Sequence, residues 1–134
     1  MNQAILDTDT ISFYFRNNVA VVRHLDLHLL QFGFVNLSVV TYYEIMNGLF
    51  YKDAHRQLEK FERFVELNEV IPLTEKIAKR AALIFSDLRK RGISIGHNDV
   101  MIAAVAIESK MTLITNNESH FQHVSGLAWE NWLK

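Results

Sequence analysis

Residues 98–114 read Asn-Asp-Val-Met-Ile-Ala-Ala-Val-Ala-Ile-Glu-Ser-Lys-Met-Thr-Leu-Ile, and this stretch decides the fold that the sequence predicts. Residues 98–110 are apolar on almost every side, which is typical of a helix buried between other layers. Residues 112–114 then form a fully apolar run, as expected of a strand that is covered on both faces. A buried helix followed by a buried strand indicates a sheet with helices packed on both of its sides.

The rest of the chain alternates between the same two kinds of segment. We predict strands at 3–6 and 34–40 and a brief extended piece at 70–72, where Pro72 disfavours helical geometry in the preceding residue. Helices are predicted after the first strand, from the cap Asn18 to Gly33, at 41–50, at 53–67, and at 74–91 with Gly92 as the stop signal. The fold class is therefore α/β, a three-layer α/β/α arrangement with a central, mainly parallel sheet.

Composition limits the possible classes of protein. The chain has 134 residues, of which 49% are hydrophobic, with one proline and five glycines, so we expect a single domain over 1–134. There is no cysteine, which removes thiolate metal sites and thiol nucleophiles. The absence of a signal-like start or a long apolar run predicts a cytoplasmic protein with no membrane segment. A net charge of −1 argues against a general nucleic-acid coating protein.

Acidic side chains follow the predicted strands at one edge of the sheet. Asp7 and Asp9 come directly after the first strand, Glu44 is expected in the first turn of the helix after the second strand, and Asp99 begins the buried helix. Asp99 could simply cap that helix or favour its dipole, and Glu44 has a similar structural explanation. The alternative is a shared metal ion, because converging carboxylates repel one another unless a hard divalent cation such as Mg²⁺ or Mn²⁺ binds them. Such an ion can polarise a phosphodiester and activate water for in-line attack, which would leave a 5′-phosphate and a 3′-hydroxyl.

Four blocks of sequence resemble those of PIN-domain ribonucleases, and most specifically the VapC-type toxins of bacterial toxin–antitoxin pairs. The blocks lie at 5–9 (Ile-Leu-Asp-Thr-Asp), 38–48 (Ser-Val-Val-Thr-Tyr-Tyr-Glu-Ile-Met-Asn-Gly), 91–104 (Arg-Gly-Ile-Ser-Ile-Gly-His-Asn-Asp-Val-Met-Ile-Ala-Ala) and 113–117 (Leu-Ile-Thr-Asn-Asn), the last followed by Phe121 and Gly126-Leu127. Their order and spacing are similar to the family over nearly the whole chain. The resemblance implies a metal-dependent endoribonuclease that cleaves RNA, with transfer RNA a plausible substrate.

The same resemblance implies which residues form the site. Asp7, Glu44 and Asp99 would bind the Mg²⁺ or Mn²⁺ ion, and Asn117 would complete the catalytic set at the end of the fourth strand. Two positions depart from the family pattern: Asp9 stands where asparagine is more usual, and His120 stands where an acid commonly precedes the phenylalanine. Glu118 is the only acid of the fourth block, so metal binding would rest on three carboxylates with Asp9 or water.

The resemblance also implies partners, namely an RNA substrate, a cognate VapB-like antitoxin and a second copy of the chain in a homodimer. Some of the aromatic residues should lie near the surface and line a hydrophobic groove for an antitoxin segment or a dimer interface. These aromatic residues are Phe13, Tyr14, Phe15, Tyr42, Tyr43, Phe50 and Tyr51.

Several basic residues have both a purely structural and a functional interpretation. His120 and His123 are expected to be solvated loop side chains rather than metal ligands. His97, two residues before Asp99, is the better candidate for touching substrate. The run 89–91 (Arg-Lys-Arg) either ends a helix or contacts RNA phosphates, and neither excludes the other.

Two other functions remain open at this point. Asp-x-Asp-x-Thr after a strand also begins phosphatases of the haloacid-dehalogenase type, in which Asp7 would be the nucleophile and Asp9 the acid. That family needs a lysine and a late acidic pair, whereas the last predicted strand here leads into Asn116-Asn117. A non-catalytic α/β binding module is the second alternative, although no glycine-rich phosphate loop follows any predicted strand.

Overall fold

The computed structural model describes residues 2–134, and within them five strands form one sheet in which every neighbouring pair is parallel. The strands are β1 (Ala4–Leu6), β2 (Asn36–Ser38), β3 (Glu69–Ile71), β4 (Thr112–Ile114) and β5 (Trp129–Glu130). Their order across the sheet is β3-β2-β1-β4-β5, so β1 lies at the centre. The first strand therefore delivers Asp7 to the middle of the carboxyl edge of the sheet, where ligands of parallel α/β proteins bind.

The helices of residues 2–134 cover both faces of this sheet. They are α1 (Thr8–Phe15), α2 (Val19–Phe32), α3 (Val39–Tyr51), α4 (His55–Leu67), α5 (Glu75–Lys90), α6 (His97–Glu108) and α7 (Glu118–Phe121). None of the helices in this part of the chain is both long and apolar enough to cross a membrane.

Alternate residues of β1 and β4 point to opposite sides of the sheet, and each side has its own core. Ile5 and Leu113 pack with buried residues of α5 and α6. Leu6 and Ile114 pack instead with residues of α1, α2 and α4 and with Trp132. This is the three-layer α/β/α arrangement that the sequence predicts, and the fold class is confirmed.

The buried helix is the segment that the sequence describes best. In α6, residues 102–106 are each 0% exposed, as an apolar segment on all sides requires. The helix α2 begins at the predicted cap, because the Asn18 side chain accepts a hydrogen bond from the backbone N–H of Val21. Thr74, predicted as the first residue of its helix, instead caps α5 by accepting from the backbone N–H of Ile77. Gly33 ends α2 with a φ of 81°, a left-handed conformation that glycine adopts without strain.

One predicted boundary is wrong. The strand expected at 34–40 covers Asn36–Ser38, and the helix expected from residue 41 begins at Val39. The physical reason is a helix cap, since the Ser38 side chain accepts a hydrogen bond from the backbone N–H of Thr41 at 3.0 Å. Glu44 therefore lies in the second turn of α3 rather than in the first turn.

Two short elements close the fold beyond the predicted segments. The helix α7 follows Asn117, and β5 pairs with β4 through Leu113 and Ile114. Phe121 anchors α7 because its side chain is 0% exposed in the core. The four residues of α7 make a single helical turn, and the two of β5 are too few to show an apolar run or an alternation.

A buried histidine supports the central strand from α2. The His28 side chain is 1% exposed, and its Nε2 accepts a hydrogen bond from the backbone N–H of Ala4 at 3.0 Å. Burial lowers the pKa of His28 below its usual value, because a charged imidazolium in this position would lose its hydration. His28 is therefore a neutral acceptor that joins α2 to β1.

Candidate metal centre

An open cleft of about 530 Å³ lies at the carboxyl edge of the sheet. The four acids singled out from the sequence, Asp7, Asp9, Glu44 and Asp99, all line it although they are far apart in the chain. Asn116 and Asn117 line the same cleft after β4. Of the described residues that form its walls, Arg16 alone is cationic, so carboxylate oxygens dominate the cleft.

Asp7 is fixed at the floor of the cleft by two hydrogen bonds. It caps α1, where Oδ1 accepts from the backbone N–H of Thr8 at 2.7 Å. Its Oδ2 accepts from the Thr115 hydroxyl at 2.8 Å, which ties the end of β1 to the end of β4. Thr115 is fully buried, so the carboxylate of Asp7 has little freedom to rotate.

The electrostatics of the cleft favour a bound cation. Burial, followed by the nearby charge of Asp9, raises the pKa of Asp7 from 3.8 to about 7, and Asp99 contributes in the same direction. Burial also raises the pKa of Asp9, with Asp99 again contributing. The chain therefore holds carboxylates that resist ionisation until a positive charge joins them.

Asp9 links the first block to the loop after β4. Its Oδ2 accepts a hydrogen bond from the backbone N–H of Asn116 at 3.2 Å. The sequence does not define the role of Asp9. In the structure, Asp9 holds the loop after β4 at the rim of the cleft through this hydrogen bond.

Glu44 faces the cleft from α3 and is held by two neutral donors. The Thr8 hydroxyl donates to its Oε1, and the Asn98 amide donates to its Oε2 at 3.3 Å. These contacts connect the residue after Asp7 with the residue before Asp99. Glu44 is therefore oriented by residues of the first and third blocks rather than by a lysine or arginine.

Asp99 lies in the first turn of α6, but it does not cap that helix, because Gly96 is the cap residue. Its Oδ2 lies 3.4 Å from Nδ2 of Asn117 and 3.0 Å from Nδ1 of His120. The prediction that His120 is a solvated loop side chain is wrong, because the short helix α7 turns this imidazole toward Asp99. His123 makes its described polar contact through its backbone oxygen, which accepts from Arg91 at 2.6 Å.

The acids share the cleft without being gathered at one point. Within residues 2–134, no three histidine, aspartate or glutamate side chains are already arranged to hold one ion. The cleft nevertheless suits a hard divalent cation, since its donors are carboxylates and amides, and the raised pKa of buried Asp7, about 7, would fall when a positive charge binds. Asp7, Asp99 and Glu44 are the residues that would hold such an ion.

A clamp from the end of the chain fixes the loop that carries Asn116 and Asn117. We define the clamp as Asn131 and Lys134. The Asn131 amide donates to Oδ1 of Asn116 at 3.0 Å and to Oε2 of Glu118 at 2.7 Å, and Lys134 pairs with the same Glu118 oxygen at 2.8 Å. Glu118, the only acid of the fourth block, is thus bonded to the clamp. Sequence reasoning missed these residues, because nothing in the local pattern joins 131 to 116.

Loosening the clamp should slow catalysis without unfolding the chain. We expect Asn131→Ala to lower the turnover rate of any cleavage by about threefold to tenfold, because the hydrogen bonds from Asn131 to Asn116 and to Glu118, which hold this loop, are lost. The melting temperature should fall by only a few degrees. Gln122→Ala, an exposed substitution at the end of α7, is the matched control. Equal rates for the two variants would contradict a positioning role for Asn131.

The basic residues near the third block occupy a separate groove. His97 stacks on Phe85 with ring centroids 4.4 Å apart, and the Arg89 guanidinium lies 5.8 Å from the centre of the same ring. Arg91 forms an ion pair with Asp87 at 2.7 Å, which supports helix termination for this member of the basic run. Whether His97 and Arg89 contact substrate stays a prediction.

A partly apolar groove lies beside the acidic cleft, and Phe15 is the one member of the aromatic set singled out from the sequence that lines it. It runs between α1, α3 and α4, and we call it the apolar groove. Its walls include Ile11, Phe15, Ile45, Leu49 and Phe61, with Arg16, Lys52 and Lys60 as the basic residues. Of the aromatic residues singled out from the sequence, Phe13, Tyr14 and Tyr42 pack against the core, whereas Tyr43, Phe50 and Tyr51 are exposed.

The chain belongs to the PIN domain family, whose pattern matches residues 4–127. This confirms the family resemblance carried by the four sequence blocks. A parallel sheet with acids at its carboxyl edge and a family match over nearly the whole chain are independent observations, and they agree.

Characterised relatives extend over the full length of the chain. Ribonuclease VapC1 of Haemophilus influenzae (strain R2866) is 30% identical over 131 residues, covering 97% of this chain and 98% of that protein. The tRNA(fMet)-specific endonuclease VapC of Shigella flexneri is 31% identical over 133 residues, covering 98% and 99%. Among solved structures, the DNA-bound VapBC of Salmonella typhimurium contains a chain with 27% identity and a TM-score of 0.89, covering 98% of this chain and 99% of that chain.

Proposed function

We propose that this chain is a metal-dependent endoribonuclease and the toxin component of a toxin–antitoxin pair. The observation that carries this function is the meeting of Asp7, Glu44 and Asp99 in one cleft at the carboxyl edge of the sheet. Relatives that match the whole chain are ribonucleases and a tRNA-specific endonuclease, which supports RNA as the substrate and transfer RNA as one candidate. The proposed catalytic set is Asp7, Glu44, Asp99 and Asn117.

PIN-domain nucleases generally depend on a divalent metal, and we propose Mg²⁺ or Mn²⁺ for this chain. The proposed ligands Asp7, Asp99 and Glu44 offer the oxygen donors that these ions take. A bound divalent ion would supply positive charge that stabilises the negative charge developing on the phosphodiester in the transition state, and it would activate water for attack. The contribution of the chain is orientation: Thr8 and Thr115 hold the Asp7 carboxylate in place, and Thr8 with Asn98 holds that of Glu44.

Incubation with total cellular RNA tests this function directly. We expect discrete fragments in the presence of Mg²⁺ or Mn²⁺ and intact RNA in excess chelator. End mapping should find a 5′-phosphate and a 3′-hydroxyl, because water attacks phosphorus in line with the leaving oxygen. Fragments that form equally well in chelator, or that end in a 2′,3′-cyclic phosphate, would contradict the proposal.

The two other functions considered from the sequence are not favoured. A phosphatase that uses Asp7 as its nucleophile needs a lysine to screen the phosphate, whereas no lysine is among the described residues that line the cleft around Asp7. Detection of a covalent phosphate on Asp7 would support the phosphatase function instead. A binding module would keep its ligand affinity in Asp7→Asn, whereas an enzyme would lose cleavage.

The proposed protein partner is a cognate VapB-like antitoxin, since solved relatives are VapBC complexes. We propose that a segment of the antitoxin lies in the apolar groove. This groove has apolar walls with Lys52 and Lys60 among its lining residues, which suits an amphipathic or acidic peptide. It also shares Thr8 and Glu44 with the acidic cleft, so a bound segment would reach the entrance of the cleft.

A substitution at Gly48 tests the apolar groove. Gly48 lines it on α3, and an added Cβ would meet no other atom within 4 Å, so Gly48→Trp should fold and fill the groove. We expect affinity for the purified antitoxin to fall by about tenfold or more, because a bulky ring competes with the segment. Glu66→Trp on the exposed side of α4 is the control. Unchanged affinity in Gly48→Trp, measured by calorimetry, would contradict this docking site.

Three broader expectations remain proposals. We propose that 1–134 acts as one domain, that the chain forms a homodimer, and that it works in the cytoplasm. Exposed apolar side chains such as Leu83 on α5 and Tyr51 on α3 support a covered surface, since they are 58% and 88% exposed. Sedimentation of the purified chain tests the dimer, and a monomer at micromolar concentration would contradict it.

A further inference from the structure

Three polar side-chain atoms form a triangle at the side of the acidic cleft, where Asp99 and Asn117 line the cleft and His120 lies next to them. They are Oδ2 of Asp99, Nδ1 of His120 and Nδ2 of Asn117. The edges measure 3.0 Å between Asp99 and His120, 2.8 Å between His120 and Asn117, and 3.4 Å between Asn117 and Asp99. Asn117 and His120 lie at the two ends of one helical turn, so α7 presents both to Asp99.

With the Asn117 amide nitrogen directed at His120, the short contacts of Nδ1 of His120 cannot both be good hydrogen bonds, whether or not Nδ1 carries a hydrogen. If Nδ1 of His120 carries a hydrogen, it donates to Asp99 but then faces a second donor, the Asn117 amide, at 2.8 Å. If Nδ1 carries a lone pair, it accepts from Asn117 but faces the anionic oxygen of Asp99 at 3.0 Å. With the Asn117 amide in this orientation, each state of the imidazole leaves one of its two short contacts unfavourable. With the amide reversed, a hydrogen on Nδ1 is shared by the two oxygens, but these oxygens then face each other at 3.4 Å.

A shared cation resolves the conflict. Half a turn of the Asn117 amide exchanges its nitrogen and oxygen, and the triangle then consists of three lone-pair donors, two oxygens and one nitrogen. Ligands bound at about 2.1 Å and at right angles to one another lie about 3.0 Å apart, which is the edge of an octahedral face. The measured edges of 2.8, 3.0 and 3.4 Å bracket this value.

The His120 imidazole is placed as a ligand would be. Phe121, the next residue, is 0% exposed and fixes the position of α7, whereas the His120 side chain is 41% exposed on its other side. Nδ1 faces Asp99 while the rest of the ring reaches solvent, so an ion can arrive without a change in the fold. Asp99 is 24% exposed, so the carboxylate is also open to an ion.

We propose that His120 binds the metal ion of this site through Nδ1, together with Asp99 and the amide oxygen of Asn117, and that this imidazole makes the site prefer Mn²⁺ over Mg²⁺. The inference rests on the proposed function and adds a ligand and an ion preference to it. A nitrogen ligand favours a first-row transition ion, because Mg²⁺ is harder and binds oxygen almost exclusively. The remaining positions around the ion are left to Asp7, Glu44 and water.

Pulsed electron paramagnetic resonance of Mn²⁺ bound to the full chain tests the ligand. We expect the wild-type spectrum to contain the coupling of a directly bound imidazole nitrogen. His120→Gln should lose this coupling, and its Mn²⁺ affinity by calorimetry should fall by about tenfold or more. His123→Gln, the other histidine of this region, should keep both. A wild-type spectrum without nitrogen coupling, or coupling that persists in His120→Gln, would overturn the proposal.

A second variant, His120→Asp, tests whether the loss of Mn²⁺ binding in His120→Gln is only a failure of that variant to fold. It keeps a ligand of the right reach, so the ion should still bind, but the nitrogen coupling should be absent and the ratio of Mn²⁺ to Mg²⁺ affinity should fall at least severalfold. An unchanged ratio would overturn the ion preference. RNA cleavage separates this inference from the function on which it rests. If the chain cleaves RNA but its Mn²⁺ spectrum lacks the nitrogen coupling, His120 is not a ligand and the ribonuclease function stands. If Mn²⁺ binds through His120 but the chain does not cleave RNA, the ribonuclease function is wrong and the ligand assignment stands.

Discussion

Asp7→Asn is expected to abolish RNA cleavage and to stabilise the ion-free fold at alkaline pH. The loss of activity should exceed about 100-fold, because changes to residues that merely support a metal ligand already cost about 10-fold to 100-fold. The gain in stability has a separate origin. Ionised Asp7 is buried next to Asp9, so the folded state resists the charge that the unfolded state accepts freely.

The sign of the stability change follows from the pKa of Asp7. It lies at about 7 in the fold and 3.8 as the reference value, so the folded state binds the proton more tightly. Stability from this group is complete below about pH 4 and declines until the pH passes 7. The decline is on the order of 2–4 kcal/mol, from roughly 1.4 kcal/mol for each pKa unit. Asparagine cannot ionise, so the variant avoids this loss.

Thermal unfolding in chelator and an RNA cleavage assay measure the two effects. At pH 8 the melting temperature of Asp7→Asn should exceed that of wild type by about 5 °C or more, and the difference should shrink toward pH 4. Glu108→Gln is the control, since Glu108 lies at the far end of α6 and pairs with Arg80 and Lys76 on the surface. It should keep full activity. A cleavage rate of Asp7→Asn within threefold of the wild-type rate would contradict the proposed site.

Divalent cation should raise the melting temperature of wild type, and more strongly at pH 8 than at pH 5. An ion at about 100 times its dissociation constant stabilises the fold by about 2.7 kcal/mol. At pH 5 the ion must displace the proton that buried Asp7 holds, so its affinity falls and most of this stabilisation is lost. At pH 8 that proton is already absent.

Melting curves with Mg²⁺, Mn²⁺ and chelator at the two pH values measure this coupling. Asp7→Asn is the matched variant, because it lacks this titrating group, so its smaller ion-induced shift should vary less with pH than that of wild type. The same shift at pH 5 and pH 8 in wild type would mean that the ion does not contact Asp7. The metal site would then have to be sought elsewhere in the cleft.

The sequence predicted the layers and the acids well for a physical reason. In a small protein, a helix that is apolar on all sides, such as α6, is stable only when it is buried between other layers, and buried strands lie beside it. The carboxyl ends of parallel strands meet at one edge, so Asp7 could be brought near Asp99 by topology alone. Caps such as Asn18 act locally and are visible in the sequence.

The failures concern contacts made across long separations or by very short elements. The imidazole of His120 meets Asp99 because a four-residue helix turns it inward, and no periodicity predicts such a helix. Asn131 reaches Asn116 because β5 joins the sheet with two residues. The start of α3 was missed because Ser38 could continue a strand or cap a helix, and only the tertiary setting selects the cap.

The neutral histidine beneath the central strand has a consequence for handling the protein. His28 must stay uncharged to accept from Ala4, so its contribution to stability is lost as the pH falls below its usual pKa of 6.5, whereas the contribution of protonated Asp7 is lost as the pH rises toward about 7. In weakly acidic buffer the two slopes have opposite signs and offset each other in the apoprotein. A bound ion removes the contribution of Asp7, so the holoprotein should lose stability more steeply on acidification than the apoprotein does.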